Sequence, residues 1–461
     1  MDYQLAVIGA GPGGYVAAIR AAQLGMKVVL VEKERPGGIC LNKGCIPTKT
    51  LVASAQLYRQ VMRAGEYGIS VTGTGVDWPK VIDRKEAVVG KLVKGIEFLL
   101  KKNKVDLLPG IGALEDHNTV GVISKDGARR TITADTVILA TGSQPLIPSF
   151  CGHNGRNVVT AEEALDLRNL PSHVVIVGGG VIGCEFASIY RSMGVDVTII
   201  ELLPQILSQF EPELSRQLAT ALKKNGVKIM TATAVREIKQ EEGRPCVILG
   251  EDEEILTDLV LVSIGRRPEL SGLGLEKLGV KVSAEGRVKV DECLHTNLSW
   301  LYAVGDMNDL PYDLAHAASA QAITAVEHIA GGDKKWEERV IPNCVFTFPE
   351  VAAVGLTRKE AEEKGYRIKT GRFPFLACGK AMAAGETEGF VLTVAEEESQ
   401  RLLGVHMVGP HVTELIAEAT LAVQKGLTAG DLAYTVHAHP TLAEAVMESA
   451  EAVFGKAIHS G

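Results

Sequence analysis

Leu5-Ala6-Val7-Ile8-Gly9-Ala10-Gly11-Pro12-Gly13-Gly14 runs an apolar strand pattern straight into a glycine-rich turn. Val174-Val175-Ile176-Val177-Gly178-Gly179-Gly180-Val181-Ile182-Gly183 repeats the design later in the chain. Both turns read G-x-G-x-x-G, through Gly9, Gly11 and Gly14 in the first copy and Gly178, Gly180 and Gly183 in the second. A helical pattern follows each turn, then a second apolar run (Val28–Val31, Val197–Ile200), then a carboxylate, Glu32 or Glu201. In both copies the acid stands 23 residues after the first glycine, from 9 to 32 and from 178 to 201. Strands alternating with helices in this way predict an α/β fold with parallel sheets. A chain of 461 residues has room for about three domains. Its 49 glycines cluster beside short Val/Ile runs, as strand-to-helix turns require.

Each position in the loop has a physical task. The first glycine permits the tight turn, the second lets the backbone approach a pyrophosphate, and the third lets the helix pack close to the strand. The N-terminus of that helix then stabilises phosphate charge. The acid ending the second strand accepts hydrogen bonds from a ribose. One such loop is weak evidence, because a tight turn needs no ligand. Strand, helix and acid together, twice, predict two dinucleotides in one chain and electron transfer between them. Glu201 would repel a 2′-phosphate, and no basic residue follows it before Arg216, so the second nucleotide is predicted to be NAD. A formal net charge of −8 argues against general affinity for nucleic acid or anionic membranes. No apolar run reaches the ~18 residues that would span a bilayer. The strand pattern beginning at Leu5 leaves no room for a signal or transit peptide, and a soluble cytoplasmic protein is expected.

Of the eight cysteines only Cys40 and Cys45 form a close pair, in Gly37-Gly38-Ile39-Cys40-Leu41-Asn42-Lys43-Gly44-Cys45-Ile46-Pro47-Thr48-Lys49. Pro47 suits the first turn of a helix, which puts Cys45 at or just before a helix N-terminus, where the dipole favours a thiolate. Lys43 and Lys49 add positive charge. A stabilised thiolate beside a second thiol suits a reversible disulfide. Buried unreactive thiols are the bland alternative. Zinc is another, but no second close Cys or Cys/His pair completes four ligands, and no metal is expected. Cys151, Cys184, Cys246, Cys293, Cys344 and Cys378 stand isolated and read as small packing residues. Lys49 lies four residues after Cys45, on the same helix face, as either a solvated lysine or a charge near the redox pair. Glu185 follows the third glycine of the second loop, where an acid near a helix N-terminus is favourable in itself.

Near the C-terminus His439 precedes Pro440, which restricts its backbone and permits a cis bond. Glu444 lies five residues on, after a helix start expected at Thr441. A carboxylate holding one imidazole nitrogen frees the other for proton transfer; a structural histidine is the alternative. His437 lacks such a partner in sequence and reads as structural.

The stretch Gly37–Lys49 resembles the redox-disulfide signature of the FAD-dependent pyridine nucleotide–disulfide oxidoreductases. Its Cys-Leu-Asn-x-Gly-Cys-Ile-Pro form is most similar to the family's dihydrolipoamide dehydrogenase branch. Ala140-Thr141-Gly142-Ser143 and Gly265-Arg266-Arg267-Pro268 resemble the family's strand-end turns. The run from Thr296 to Asp306 resembles its second flavin motif, and His437–Glu444 its C-terminal catalytic segment. The resemblance runs along essentially the whole chain. It implies two Rossmann-like dinucleotide-binding domains plus a C-terminal α+β dimerisation domain. FAD binding falls to residues 1–145 and 271–342, NAD binding to 146–270, and dimerisation to 343–461. The last part agrees with short alternating strands (Val345–Phe348, Val351–Val354, Phe390–Val394, Leu402–Met407) and helix-like runs Val412–Lys425 and Leu442–Phe454.

Carried over by position, the resemblance makes Glu32 the ligand of the FAD adenosine ribose and Asp306 that of its ribitol. Gly112 and Ala315 offer backbone contacts to FAD, and Thr141, Gly142 and Ser143 belong to the same site. Val235 and Gly265 line the NAD side. Cys40 is the interchange thiol that meets substrate and Cys45 the charge-transfer thiol facing the flavin, beside a Lys49–Glu185 ion pair. His439, oriented by Glu444, is the acid/base and arrives from the other subunit of a homodimer. The implied reaction oxidises protein-bound dihydrolipoamide with NAD, through the disulfide and FAD, in a 2-oxoacid dehydrogenase or glycine cleavage complex. No lipoyl-type module precedes Leu5, so the lipoyl group is expected on another protein. A related NAD(P)H-dependent disulfide or mercuric reductase is the alternative; a soluble transhydrogenase or a scaffold subunit would not need the disulfide. Two positions depart from the pattern: Lys43 replaces an apolar residue and should raise the local positive potential, and Gln321-Ala322 stands where Glu-Gly is usual.

Overall fold

The computed structural model describes residues 1–250, 253–337 and 340–459. Tyr3–Ile8 is the hub of a seven-stranded sheet, flanked in parallel by Val28–Glu32 and Arg129–Leu139, with Leu5 opposite both Val28 and Thr136. Leu5, Ala6, Val7 and Ile8 are all buried, as a strand covered by helices on both faces must be. The Pro12–Gln23 helix buries a face of Gly13, Gly14, Ala17, Ala18 and Ala21. These small residues let it close on the sheet and on the Ala315–Ile329 helix; a Cβ at Gly13 would already meet Val304 at 3.1 Å.

The second G-x-G-x-x-G unit builds a separate five-stranded parallel sheet. His173–Val177 is central, between Asp196–Ile200 and Leu259–Val262. The chain enters and leaves this unit through a short antiparallel pair, Ser143–Pro145 against Arg266–Pro268. Leu301–Ala303 then returns to the first sheet beside Arg129–Leu139. The C-terminal part is a five-stranded antiparallel sheet carrying the Val412–Gln424 and Glu444–Ala452 helices. One apolar cluster joins all three parts: Leu51 and Trp78, Phe186 and Ile189, and Val345 and Phe390 belong to it.

Two expectations are corrected here. The last helix begins at Glu444 rather than Leu442, because the Glu444 carboxylate accepts the Thr441 N–H at 2.8 Å and holds Thr441 outside the first turn. The edge strand Ile368–Pro374 escaped the pattern, since Gly371 and Pro374 interrupt its alternation. Gly371 is needed there: a Cβ would stand 2.1 Å from the Ser449 carbonyl oxygen of the last helix.

Candidate active site

The two glycine loops share one internal geometry. Gly9 (φ +99°) and Gly178 (φ +109°) turn through the left-handed region, where a Cβ would lie 2.4 Å from the carbonyl oxygen of Ala140 or Ser263. A Cβ at Gly14 or Gly183 would lie 1.7 or 2.0 Å from the first glycine's own oxygen. The middle glycines face free space instead. Nothing stands within 4 Å of a Cβ at Gly180, and only Gly38 Cα, at 3.9 Å, at Gly11. Both acids are then set in the same way. Glu32 accepts the N–H groups of Ala10 (2.6 Å) and Glu34 (2.8 Å); Glu201 accepts those of Gly179 (2.6 Å) and Leu203 (2.8 Å). Each carboxylate oxygen keeps a lone pair for a ribose hydroxyl. A cradle open at its middle glycine, with a fixed acid beside it, fits a dinucleotide in each half.

A cleft of about 2450 Å³ runs along the first unit and reaches the other two parts. Gly9, Gly11, Glu32 and Gly112 line one stretch of it, Thr141, Gly142 and Ser143 another, and Asp306 and Ala315 a third. Ala315 opens its helix. Thr141 Oγ1 donates to Glu269 O at 2.7 Å, fixing the turn. The Ser143 hydroxyl donates to Asp306 Oδ2 at 2.6 Å and accepts from Arg266 Nε at 2.8 Å. Burial pushes the Asp306 carboxyl up, against that hydrogen bond. The loop before Asp306 is clamped by Gln321, whose Oε1 accepts Gly305 N–H (2.7 Å) and Asn308 Nδ2 (2.9 Å). The amide thus does what a carboxylate acceptor would do, without adding charge near Asp306.

Cys40 and Cys45 both open onto this cleft, Cys45 as the first residue of the Cys45–Met62 helix. Both thiols are free. Their mutual hydrogen bond holds Cys45 down at about 7 and Cys40 well above the ordinary thiol range; Lys49 adds to the fall at Cys45, and burial opposes it. Cys45 therefore forms its thiolate as pH rises through about 7, and its alkylation rate should climb over that interval and level off above it. Cys40→Ala removes the largest cause and should move the midpoint upward by about one unit. Peptide-resolved alkylation across pH measures both, and an unmoved midpoint would place the cause elsewhere.

Lys49 Nζ bonds both Glu185 oxygens, at 2.9 and 2.8 Å, and stands 4.6 Å from the Phe346 ring centroid. Glu185 is 3% exposed and also accepts the Phe346 N–H at 3.0 Å. The pair therefore ties the redox helix, the second unit and the C-terminal sheet together. Phe346 had no signal in the sequence, because its role comes only from long-range contact.

Two expectations change, for Lys43 and His437. Lys43 is bound to Glu34 Oε2 at 2.6 Å, so the positive charge acting on Cys45 comes from Lys49. Cys344 packs against the apolar cluster of the C-terminal sheet, as expected, and also lines the cleft near Lys49, with its thiol pushed up to about 12, chiefly by burial. His437 does have a carboxylate partner, Glu418 at 2.8 Å, supplied by the Val412–Gln424 helix, and it is nearly buried. Val235 packs half-buried against the cluster of Val177 and Ile200, beside the second glycine loop and outside the cleft. Gly14, Gly178, Gly180, Gly183, Glu201 and the exposed Gly265 also lie outside its lining, while Glu185 and Arg266 reach it. His439 and Glu444 stand apart from their own chain's cleft. His439 Nδ1 meets Glu444 at 2.8 Å and the ring is 78% exposed, across a cis bond to Pro440. Burial raises the Glu444 carboxyl, but hydrogen bonds from Thr441 N–H and His439 outweigh it and hold the group low.

Residues 3–322 match the pyridine nucleotide-disulphide oxidoreductase family, and residues 341–450 match that family's dimerisation domain. The chain belongs to the pyridine nucleotide-disulphide oxidoreductases. Similar members include the dihydrolipoyl dehydrogenases of Bacillus subtilis (41% identical, 99% of each chain covered) and Thermus scotoductus (42%, with 99% of this chain and 98% of that one). Among solved oxidoreductase structures, LpdA of Mycobacterium tuberculosis superposes with a TM-score of 0.92 at 27% identity, covering 97% and 99% of the two chains. The HOCl-induced flavoprotein disulfide reductase RclA of Escherichia coli, in its Cu(II) complex, gives 0.89 at 28%, over 98% and 99%. FAD and NAD are the family's cofactors, and the cradles above fit them. Among the described residues no helix is long and apolar enough to cross a membrane.

Proposed function

We propose that this oxidoreductase is a dihydrolipoyl dehydrogenase that oxidises dihydrolipoamide carried on another protein and reduces NAD. The carrying observation is a dithiol, Cys40 and Cys45, opening onto one cleft with the first glycine loop and with Glu185 of the second unit. The whole-length similarity to named dihydrolipoyl dehydrogenases supports it. Gly9, Gly11, Gly14, Glu32, Gly112, Thr141, Gly142, Ser143, Asp306 and Ala315 would hold FAD. Gly178, Gly180, Gly183 and Glu201 would hold NAD, with Val235 and Gly265 lining its side. Bound there, FAD would supply the route for the electron pair from the reduced sulfurs to NAD.

The chain's own residues do the thiol chemistry. His439 of the partner subunit removes a substrate thiol proton at Nε2. The substrate thiolate attacks Cys40 Sγ of the Cys40–Cys45 disulfide, and Cys45 leaves as a thiolate beside Lys49. The second substrate thiol attacks the mixed disulfide, closing the lipoyl ring and passing its proton to the released Cys40, while the proton on the partner's His439 remains available to Cys45. The result is a Cys40–Cys45 dithiol, the form described above. Glu185 keeps Lys49 in place through this change of charge. A homodimer is supported by the matched dimerisation domain and by the exposed His439–Glu444 pair, which needs a second chain's cleft to act. The sheet boundaries favour FAD-binding segments 1–145 and 271–342, an NAD-binding segment 146–270 and an interface segment 343–461. A lipoyl-bearing subunit in the cytoplasm is the partner this chemistry requires.

Purified protein given NAD and free dihydrolipoamide should form NADH with ping-pong kinetics. Faster turnover of NADPH with glutathione disulfide would overturn the reading and favour a disulfide reductase.

A further inference from the structure

Between the Leu301–Ala303 strand and the Ala315–Ile329 helix the chain carries no helix or strand. Both ends of this loop line the cleft, Asp306 at one and Asp313, Leu314 and Ala315 at the other. Arg287 reaches both ends. Its Nη1 donates to Asp306 O at 2.9 Å, to Asn308 O at 3.2 Å and to Asp313 Oδ1 at 2.8 Å. Its Nη2 donates to Asp313 Oδ2, also at 2.8 Å. A planar guanidinium can grip a carboxylate with two bonds and still reach a carbonyl, which an ammonium cannot. A tight turn presents the side chain: Gly286 takes φ +76°, and Ser283 N–H donates to Arg287 O at 2.7 Å. The next residues run beside the loop, with Val288 N–H on Met307 O at 2.9 Å and Asp309 N–H on Val288 O at 3.0 Å.

Asp313 stands next to Leu314, the N-cap of the Ala315–Ile329 helix. An acid there is drawn to the unpaired N–H groups of the first turn. No side chain caps this helix, however, and both Asp313 oxygens are on Arg287 instead. The helix N-terminus is thereby left to a ligand in the cleft. Burial raises the Asp306 carboxyl and the Asp313 charge adds to the rise, while Ser143, Arg266 and Arg287 oppose it.

We infer that Arg287 is a positioning residue for FAD: its guanidinium fixes the Asp306 carboxylate relative to the N-terminus of the Ala315–Ile329 helix and keeps Asp313 off that terminus. This rests on the reading of Asp306 and Ala315 as FAD contacts. Two groups that grip one ligand must be spaced before it arrives, because otherwise binding bears the cost of ordering the loop between them.

FAD retained by the holoenzyme after dilution and ultrafiltration tests this without turnover. Arg287→Met should weaken FAD affinity about tenfold, the scale of one charge-assisted hydrogen bond. Arg287→Lys keeps the charge but cannot span both carbonyls and the carboxylate, and it should lose about as much. Asp313→Asn should restore several-fold of the affinity in the Arg287→Met background and none in the wild type, because the acid is free to compete for the helix only when Arg287 is gone. Unchanged FAD affinity in Arg287→Met with a lowered melting temperature would make the residue merely structural and overturn the inference. Full affinity in Arg287→Lys, or equal effects of Asp313→Asn in the two backgrounds, would overturn it as well. If Asp306→Ala held FAD as firmly as the wild type, the placement of FAD in the cleft would fail instead.

Discussion

Cys45→Ser abolishes dihydrolipoamide oxidation, with a loss of more than ~10⁴-fold, while leaving the fold intact. Serine fills the same space at the head of the Cys45–Met62 helix, but its hydroxyl can neither form a disulfide with Cys40 nor ionise near neutral pH. The hydrogen bond and the Lys49 charge that bring the Cys45 thiol to about 7 then have no anion to stabilise. Two readouts separate this from misfolding. The titration near pH 7 in the alkylation profile should vanish. The long-wavelength absorption that a thiolate gives against an oxidised flavin should vanish with it on partial reduction. Persistence of that band would assign the role to another thiol, and Cys344, which also lines the cleft, is the one to examine next.

His439→Gln should cost dihydrolipoamide oxidation about 10²- to 10⁴-fold, the usual range for one positioned acid/base. The geometry explains why the loss should be selective. Glu444 takes Nδ1, and Thr441 N–H holds the second Glu444 oxygen at 2.8 Å, so the imidazole is fixed with Nε2 outward. Glu444 is held low and remains a carboxylate across the working pH range. Oxidation of NADH by an artificial acceptor involves no substrate thiol and should change little. Equal losses in the two assays would make His439 a structural residue.

Much of this molecule was legible because its decisive constraints are short-range. A glycine whose Cβ would strike the preceding strand end, and an acid that caps the same turn, are fixed within two dozen residues, and the loop at Gly9 and the loop at Gly178 obey the same arithmetic. The Cys40–Cys45 spacing and the helix-starting Pro47 are equally local, as is the His439–Glu444 separation. Charge near the redox pair was not. Lys43 and Lys49 look alike in sequence, yet Glu34 neutralises the first while Glu185, 136 residues from Lys49, orients the second. His437 looked unpartnered for the same reason, since Glu418 comes from another helix.

Local sequence thus pointed to the loops that can accept a diphosphate, the sulfurs close enough to pair and the His439–Glu444 pair, since steric and hydrogen-bonding demands within one turn leave few residues to choose from. Tertiary packing alone decided which cation serves Cys45, that Phe346 steadies Glu185 and that Cys344 faces the cleft. Electrostatic and packing partners are chosen by distance in space, and separation along the chain carries no record of it.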